Sequence, residues 1–290
     1  STLVAVMFSG YAIGGMLSAV LGIWIVPQFG WQVMFYLAVI PLLLLPLIWT
    51  QLPDSVAFLV RQGKIAEARK VLAALTGKPL PDDAELAVHQ PQKTEQSLAA
   101  LFSNNRALST LMFFQAFFMC LLMVYGLGSW LSKLMTMAGY GFGSSLMFLL
   151  FLNIGGIIGA IGGGWLSDRF HPRPVLMLFF TLAAVSLALL GFKSHVAVLY
   201  FLVTVAGATT IGSQILLYAY VAQFYPTAIR STALGWSSGV GRIGAILGPV
   251  LGGALLAMQL SHQMNFLAFV VPGALAVIAI MLTAGRKEAV

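Results

Sequence analysis

Apolar segments long enough to cross a lipid bilayer recur along this chain, and they constrain its fold more than any other feature. An apolar helix needs about 20 residues to span the hydrocarbon core of a membrane. Eight such segments are predicted, at about 2–26, 32–50, 108–131, 144–166, 174–192, 196–223, 232–258 and 264–284. The sequence therefore predicts an all-α polytopic membrane protein with eight transmembrane helices.

The composition agrees with a membrane protein and excludes several other classes. Hydrophobic residues make up 60% of the chain and charged residues 8%, whereas a soluble domain carries about 25% charged residues. The net charge of +7 does not indicate nucleic-acid binding, because the basic residues do not cluster on a soluble face. Cys120 is the single cysteine, which excludes a disulfide framework and a multi-cysteine metal site. No metal and no cofactor is expected.

The distribution of basic residues predicts the orientation in the membrane. One side carries Arg61, Lys64, Arg69, Lys70, Lys78, Lys93, Arg106, Arg169, Arg173, Arg230, Arg286 and Lys287. The other side carries only Lys133 and Lys193. Because basic residues near span ends stay in the cytoplasm, the first side is predicted to be cytoplasmic. With an even number of spans, both ends of the chain would be cytoplasmic, in a bacterial inner membrane.

The region 51–106 is the one stretch with a soluble character. Residues 63–75 have the pattern of an amphipathic helix that lies on the membrane surface, and Gly77 to Ser97 is rich in Pro, Gln and Asp, as in a flexible linker. The chain is therefore predicted to divide into two transmembrane helices at 1–50, a cytoplasmic central loop at 51–106, and a six-helix bundle at 107–290.

Glycines recur at a spacing of four residues in three of the apolar segments. Small residues at this spacing let two helix backbones approach closely in a membrane. The glycines predicted to pack helices in this way are Gly10, Gly14, Gly22, Gly155, Gly159, Gly244 and Gly248.

Arg242 is the single charged residue between Thr232 and Met258. A charge at bilayer depth costs about 3 kcal/mol or more unless it faces a cavity or a partner. One interpretation is a counter-ion for a substrate carboxylate, which a planar guanidinium can bind through two hydrogen bonds. The other is a packing arginine bonded to carbonyls of a neighbouring helix.

Three further stretches carry a resemblance to a known family. Residues 163–173 read Gly-Gly-Trp-Leu-Ser-Asp-Arg-Phe-His-Pro-Arg, which resembles the loop motif of the major facilitator superfamily. Residues 225–235 and 239–249 resemble the junction of that family's tenth and eleventh helices. Leu52-Pro53-Asp54-Ser55, Gly63-Lys64 and Glu67-Ala68 resemble its central loop. In detail the chain is most similar to the aromatic acid:proton symporters.

The resemblance implies a function and an incomplete fold. It aligns the first span with the family's fifth helix and the last with its twelfth, so a partial fold without the first four helices is expected. The function that the resemblance implies is uptake of a small organic acid by proton symport across the lipid bilayer. The subfamily resemblance implies that this acid is an aromatic carboxylate. No acidic residue lies inside a predicted span, so the proton-carrying group is expected in the missing helices. A monomer is expected for the complete carrier.

Polar residues on the helices that line the family's central cavity are the candidate substrate contacts. Besides Arg242, they are Gln115, Tyr125, Asn153, Gln214 and Tyr218. Polar side chains among apolar neighbours need partners, and contacts between helices are the alternative to contacts with a substrate. At the predicted cytoplasmic gate, the candidate conformational residues are Asp168, Arg169, Arg173 and Arg230; a role for Arg169 in topology alone is the alternative there.

Other functions remain as alternatives to transport of an aromatic acid. A facilitator or symporter for a sugar or a non-aromatic organic acid would share the same helices. A membrane scaffold subunit would need neither Arg242 nor the loop motif. An intramembrane enzyme is not expected, because no H-E-x-x-H motif and no paired membrane aspartates occur in the sequence.

Overall fold

The computed structural model describes residues 2–51, 54, 56–76, 98–192 and 194–283. The predicted linker at 77–97, the basic residue Lys193 and the C-terminal stretch with Arg286 and Lys287 lie outside these ranges. Within them the chain folds into helices joined by short turns, so the prediction of an all-α protein is confirmed.

The helices fall into two groups along the chain. Before the linker come α1 (Thr2–Phe29), α2 (Gln32–Leu37), a 3₁₀ helix (Ile40–Leu44), α3 (Leu45–Gln51), α4 (Val56–Arg61) and α5 (Ile65–Thr76). After it come a 3₁₀ helix (Leu98–Leu101), α6 (Ala107–Met137), α7 (Phe142–Phe170), α8 (Pro172–Leu190), α9 (Val196–Phe224), α10 (Thr227–Ala257) and α11 (His262–Leu282).

Helices α6 to α11 are the ones that the structure shows to be long and apolar enough to cross a membrane. In the described part of the chain, six helices meet this criterion. Two shorter apolar helical stretches come before them: Ile13–Phe29, which is the second part of α1, and Gln32–Leu44. The protein is thus a multi-pass membrane protein, and the predicted spans from 108 to 284 correspond to α6 to α11.

The predicted span at 32–50 is not one continuous helix. It is divided among α2, the 3₁₀ helix Ile40–Leu44 and α3. Two prolines account for the interruption: Pro41 lies in the first turn of the 3₁₀ helix and Pro46 lies in α3. Because proline has no backbone N–H and its ring clashes with the preceding turn, it interrupts helical hydrogen bonding. None of the three pieces alone has the length of a span.

The core lies among the long helices, which form one compact unit with residues 1–28. Helix α6 packs on α10 and α11, α7 packs on α9, and α8 packs between α9 and α11. Large side chains fill the interior, with Phe113, Phe117 and Phe180 fully buried. The thiol of Cys120 is also fully buried, and its Sγ donates to the Thr210 carbonyl oxygen at 3.6 Å.

The described residues of the range 29–93 belong to the second compact unit. Within it, the short helix α4 packs on α5, burying Leu59 and Ala68 between them. The amphipathic helix predicted at 63–75 is present as α5, which begins at Ile65. Lys64 and Glu67 lie 3.9 Å apart, and both side chains are exposed.

Candidate functional site

Close backbone packing places α10 against α6. The Cα of Gly244 lies against the Phe118 carbonyl, and that of Gly248 lies against the Leu122 carbonyl and the backbone of Gly126. A Cβ atom at either glycine would overlap these backbone atoms. Because only glycine permits this approach, the two positions fix how the middle of α10 lies on α6.

A second pair of glycines places α7 against α9. Gly155 lies against the Thr204 carbonyl, and Gly159 lies against the Ala208 carbonyl. Both partners are backbone carbonyl groups, so a side chain at position 155 or 159 could fit only if the neighbouring helix moved. The predicted packing glycines of α1 differ: within the described chain, nothing lies within 4 Å of a Cβ built on Gly10 or Gly14, and one built on Gly22 meets only Leu146, at 3.6 Å.

Arg242 lies at the middle of the 31-residue helix α10 and is exposed on its surface. Its Nη1 donates to the hydroxyl oxygen of Tyr125 on α6 at 3.0 Å. Tyr218 on α9 lies close enough to interact with the charge of Arg242, and its hydroxyl hydrogen-bonds to Ser238. The fold therefore brings three of the predicted substrate contacts, Arg242, Tyr125 and Tyr218, into one cluster.

A cavity of about 390 Å³ lies beside this cluster, between α1, α6, α7 and α9. Its polar lining consists of Ser18, Tyr125, Ser129 and Asn153. The remaining lining is apolar, and includes Leu146, Leu149 and Ile211. Pockets for small ligands have this character, with mostly apolar walls and a few polar groups, and volumes of roughly 300–1,000 Å³. Tyr125 both lines the cavity and accepts a hydrogen bond from Arg242, so this bond connects the cation to the cavity wall.

The other predicted substrate residues differ in where they point. The Asn153 side chain lines the cavity, and its Nδ2 donates to the Leu149 carbonyl oxygen at 2.8 Å. Gln214 and Tyr218 follow Ile211 at helical spacing on the half-buried face of α9. Gln115 instead contacts α11, where its Nε2 donates to the Leu275 carbonyl oxygen at 3.5 Å. That contact favours a packing role for Gln115.

The predicted gating residues gather at the opposite end of the bundle from the turn after α6. Asp168 and Arg169 are exposed in the last turn of α7, and the Arg169 guanidinium lies over the Trp165 ring at 5.8 Å. Nη2 of Arg173, at the start of α8, donates to the Met281 carbonyl oxygen near the end of α11 at 2.7 Å. Among the described residues, no acceptor reaches the buried Nε of Arg230.

A polar cluster at the same end was not predicted from the sequence. The hydroxyls of Thr110 and Tyr225 lie 2.7 Å apart, and Thr110 also donates toward the Leu101 carbonyl oxygen at 2.7 Å. Tyr225 lies between α9 and α10, and burial raises the pKa of its phenol, while the Thr110 hydroxyl and the charge of Arg106 act in the other direction. These contacts tie the segment that enters α6 to the turn between α9 and α10.

Two further contacts between helices were not predicted from the sequence. Nε1 of Trp130 donates to the Pro249 carbonyl oxygen at 2.7 Å, and the Trp130 ring covers Gly252. On α1, Gly15 lies directly against the Asn153 side chain. Both are contacts between residues more than a hundred positions apart, so no local pattern predicts them.

Comparison with known proteins places the chain in a family. The sequence profile of the Major Facilitator Superfamily matches residues 1–170 and 154–289, and the chain therefore belongs to this superfamily. The fold agrees: a crystal structure of the fucose:proton symporter FucP of E. coli superposes with a TM-score of 0.56 at 19% sequence identity, over 76% of this chain and 53% of that one.

Two relatives are closer in sequence. The chain is 46% identical to the benzoate transport protein of Acinetobacter baylyi over 290 residues, which is 99% of this chain and 62% of the relative. It is 37% identical to the gentisate transporter of Corynebacterium glutamicum over 268 residues, which is 91% of this chain and 55% of the relative. The chain thus spans about three fifths of the length of these relatives. They are named as transporters and not as enzymes.

Proposed function

We propose that the protein containing this chain is a secondary active transporter that takes up a small aromatic carboxylate by proton symport. The observation that carries the proposal is Arg242. It is a permanent cation at the middle of an apolar helix, exposed, and bonded to Tyr125, which lines a largely apolar cavity. Such a site suits a ligand with one negative charge and an apolar body.

The contact between Arg242 and Tyr125 supports this assignment. A phenol hydroxyl is a neutral acceptor, so this bond orients the guanidinium without neutralising its charge. A guanidinium has five N–H donors, and the bond to Tyr125 uses one of them. The remaining donors can hold a carboxylate through two parallel hydrogen bonds, which are stronger than bonds between neutral groups.

The relatives support the choice of an aromatic acid. The benzoate and gentisate transporters match 99% and 91% of this chain respectively. Leu146, Leu149 and Ile211 offer apolar surface to an aromatic ring in the cavity that Tyr125 lines. A sugar, the main alternative, would gain little from these walls, and it carries no charge for Arg242 to bind.

The proposal includes an arrangement in the membrane. Eight segments cross it, with α1 first and the interrupted segment 32–50 second, and both ends of the chain lie in the cytoplasm of a bacterium. Segment 51–106 is a cytoplasmic loop between the two transmembrane helices at 1–50 and the six-helix bundle at 107–290. Asp168, Arg169, Arg173 and Arg230 would then lie at the cytoplasmic gate. The complete carrier acts as a monomer.

The test compares an acid with its uncharged analogue. Benzoate and benzamide binding are measured by calorimetry on the purified complete gene product in lipid nanodiscs. Arg242→Lys keeps the charge and loses the planar fork, so benzoate binding should weaken by about 1–3 kcal/mol, the scale of a charge-assisted hydrogen bond. Arg242→Gln should weaken it further. Benzamide should bind weakly to the unmutated protein and change little with either substitution.

Three outcomes would contradict the proposal. Equal losses for benzoate and benzamide would mean that Arg242 only maintains the fold. Binding of benzoate that is unaffected by Arg242→Gln would place the carboxylate elsewhere. If the unmutated protein binds no aromatic acid and no other small solute, a scaffold subunit becomes the better explanation.

A further inference from the structure

Gly15 of α1 and Asn153 of α7 form an unusual contact on the wall of the cavity. The nearest atom to a Cβ built on Gly15 is Oδ1 of Asn153, followed by Cγ at 2.8 Å and Nδ2 at 3.0 Å. All three atoms belong to the side-chain amide, so the whole amide lies against the glycine. Both residues line the cavity. A side chain at position 15 would therefore displace the Asn153 amide from its present position.

Hydrogen bonding fixes which way this amide is turned. The group that approaches the Leu149 carbonyl oxygen must be a donor, because a carbonyl oxygen can only accept. That group is Nδ2, which donates to Leu149 at 2.8 Å. The oxygen Oδ1 is consequently held on the other side, next to Gly15. Among the described residues, none donates a hydrogen bond to Oδ1.

An unpaired acceptor on this wall distinguishes between ligands. The neighbouring lining residues Leu146, Leu149 and Ile211 are apolar. A ligand that covers Oδ1 with a C–H group removes it from water without giving it a donor, which is unfavourable. A ligand with an O–H group at that point satisfies it. Sites built to bond a substrate hydroxyl discriminate strongly against the analogue that lacks it.

We infer that Asn153 is a specificity-determining residue that accepts a hydrogen bond from a ring hydroxyl of the transported acid, and that Gly15 provides the space this requires. The inference rests on the proposed function, with the carboxylate at Arg242 and the ring in the adjoining cavity. Its consequence is that the preferred substrates are hydroxylated aromatic acids, with the unsubstituted acid bound less tightly.

The experiment measures binding of benzoate, 3-hydroxybenzoate and 4-hydroxybenzoate to the complete gene product in nanodiscs. The unmutated protein should bind at least one hydroxybenzoate several-fold more tightly than benzoate. Asn153→Ala should weaken binding of that hydroxybenzoate by about 5- to 10-fold, the usual effect of losing one hydrogen bond. Benzoate binding should change less than about twofold, because benzoate makes no such bond.

A pair of adjacent glycines supplies a matched test that leaves Asn153 in place. Gly15→Ala puts a methyl group against the amide and should reduce the preference for the hydroxybenzoate as Asn153→Ala does. Gly14→Ala is the control, since a Cβ there meets nothing within 4 Å in the described chain, and it should leave the preference unchanged. In an Asn153→Ala background, Gly15→Ala should have no further effect on the preference, because the two changes act on one contact.

The outcomes separate this inference from the proposed function. Tighter binding of benzoate than of both hydroxybenzoates would overturn the inference and leave the transporter intact. So would equal losses for all three acids in Asn153→Ala, or a Gly14→Ala effect equal to that of Gly15→Ala. Failure of the unmutated protein to bind any of the three acids would instead refute the proposed function.

Discussion

Tyr125 has two roles in the structure, since its hydroxyl accepts from Arg242 and its side chain lines the cavity. A long arginine side chain has many rotamers, and fixing one of them costs conformational entropy. The bond at 3.0 Å selects one orientation of the guanidinium before any ligand arrives. Tyr125 therefore acts as a positioning residue for the cation, in addition to any contact of its own with the substrate.

Removing this hydroxyl should weaken the binding of acids and spare that of neutral analogues. We expect Tyr125→Phe to reduce benzoate affinity by about 0.5–1.5 kcal/mol, the net value of one hydrogen bond. Benzamide affinity should be nearly unchanged. Calorimetry on both ligands checks this. A similar loss in both would show that the ring of Tyr125 matters rather than its bond to Arg242.

Arg242 could be singled out from the sequence, but its partner could not. The sequence around Arg242 shows a single charge in an apolar segment. Such a charge at bilayer depth needs a partner or a cavity, so this requirement could be predicted. Tyr125 lies 117 positions away in the sequence. Which polar residue becomes the partner of Arg242 depends on the rotational orientation of α10 against α6. The same limit explains Gln115, whose polar character was visible but whose contact with Leu275 was not.

At the scale of helices, backbone contacts fix the pairs α6–α10 and α7–α9. The four-residue glycine spacing predicted close packing, and Gly155, Gly159, Gly244 and Gly248 each lie against a backbone carbonyl of a neighbouring helix. Spacing alone could not name the partner helix. Nor could it show that Gly10 and Gly14, which have the same spacing, have no such neighbour in the described chain.

Alanine substitutions in α7 test the importance of this packing. Gly159→Ala would force a methyl group into the Ala208 carbonyl, so it should destabilise the bundle by about 1–3 kcal/mol, as overpacking does. Gly162→Ala is the control on the same helix, because nothing in the described chain lies within 4 Å of a Cβ there. Thermal unfolding in detergent should show a lower midpoint for the first variant only. Equal midpoints would argue against tight packing of α7 on α9.

The number and length of apolar runs predicted most of the helical fold. The spans from 108 to 284 were located to within a few residues, because each is bounded by polar or turn-forming residues. The segment 32–50 was predicted less well. Its hydrophobicity indicated a span, but Pro41 and Pro46 interrupt its backbone hydrogen bonding, and hydropathy does not register a missing N–H.

At the scale of the whole molecule, the distribution of basic residues remains the basis for orientation. Arg106, Arg169, Arg173 and Arg230 lie at or near the starts of α6, α8 and α10 and the end of α7. Because consecutive long helices run in opposite directions, these positions fall at one end of the bundle. Lys133, near the end of α6, lies at the other end. On the positive-inside rule we predict that the first end faces the cytoplasm.

Labelling of introduced cysteines tests this orientation. Cysteines at Lys133 and His262 should react with a membrane-impermeant maleimide added to intact cells. Cysteines at Arg61 and Arg173 should react only after the membrane is permeabilised. Expression of each variant is checked by immunoblot. Labelling at position 173 from outside intact cells would reverse the orientation.

The burial of Cys120 simplifies the labelling experiment. The thiol of Cys120, the single cysteine in the sequence of this chain, is fully buried, and its Sγ donates to the Thr210 carbonyl oxygen on α9. A water-borne reagent therefore has no route to it while the protein is folded. Within the 290 residues of this chain, each new cysteine can be introduced without replacing Cys120, and labelling of Cys120 itself would report that the bundle has opened.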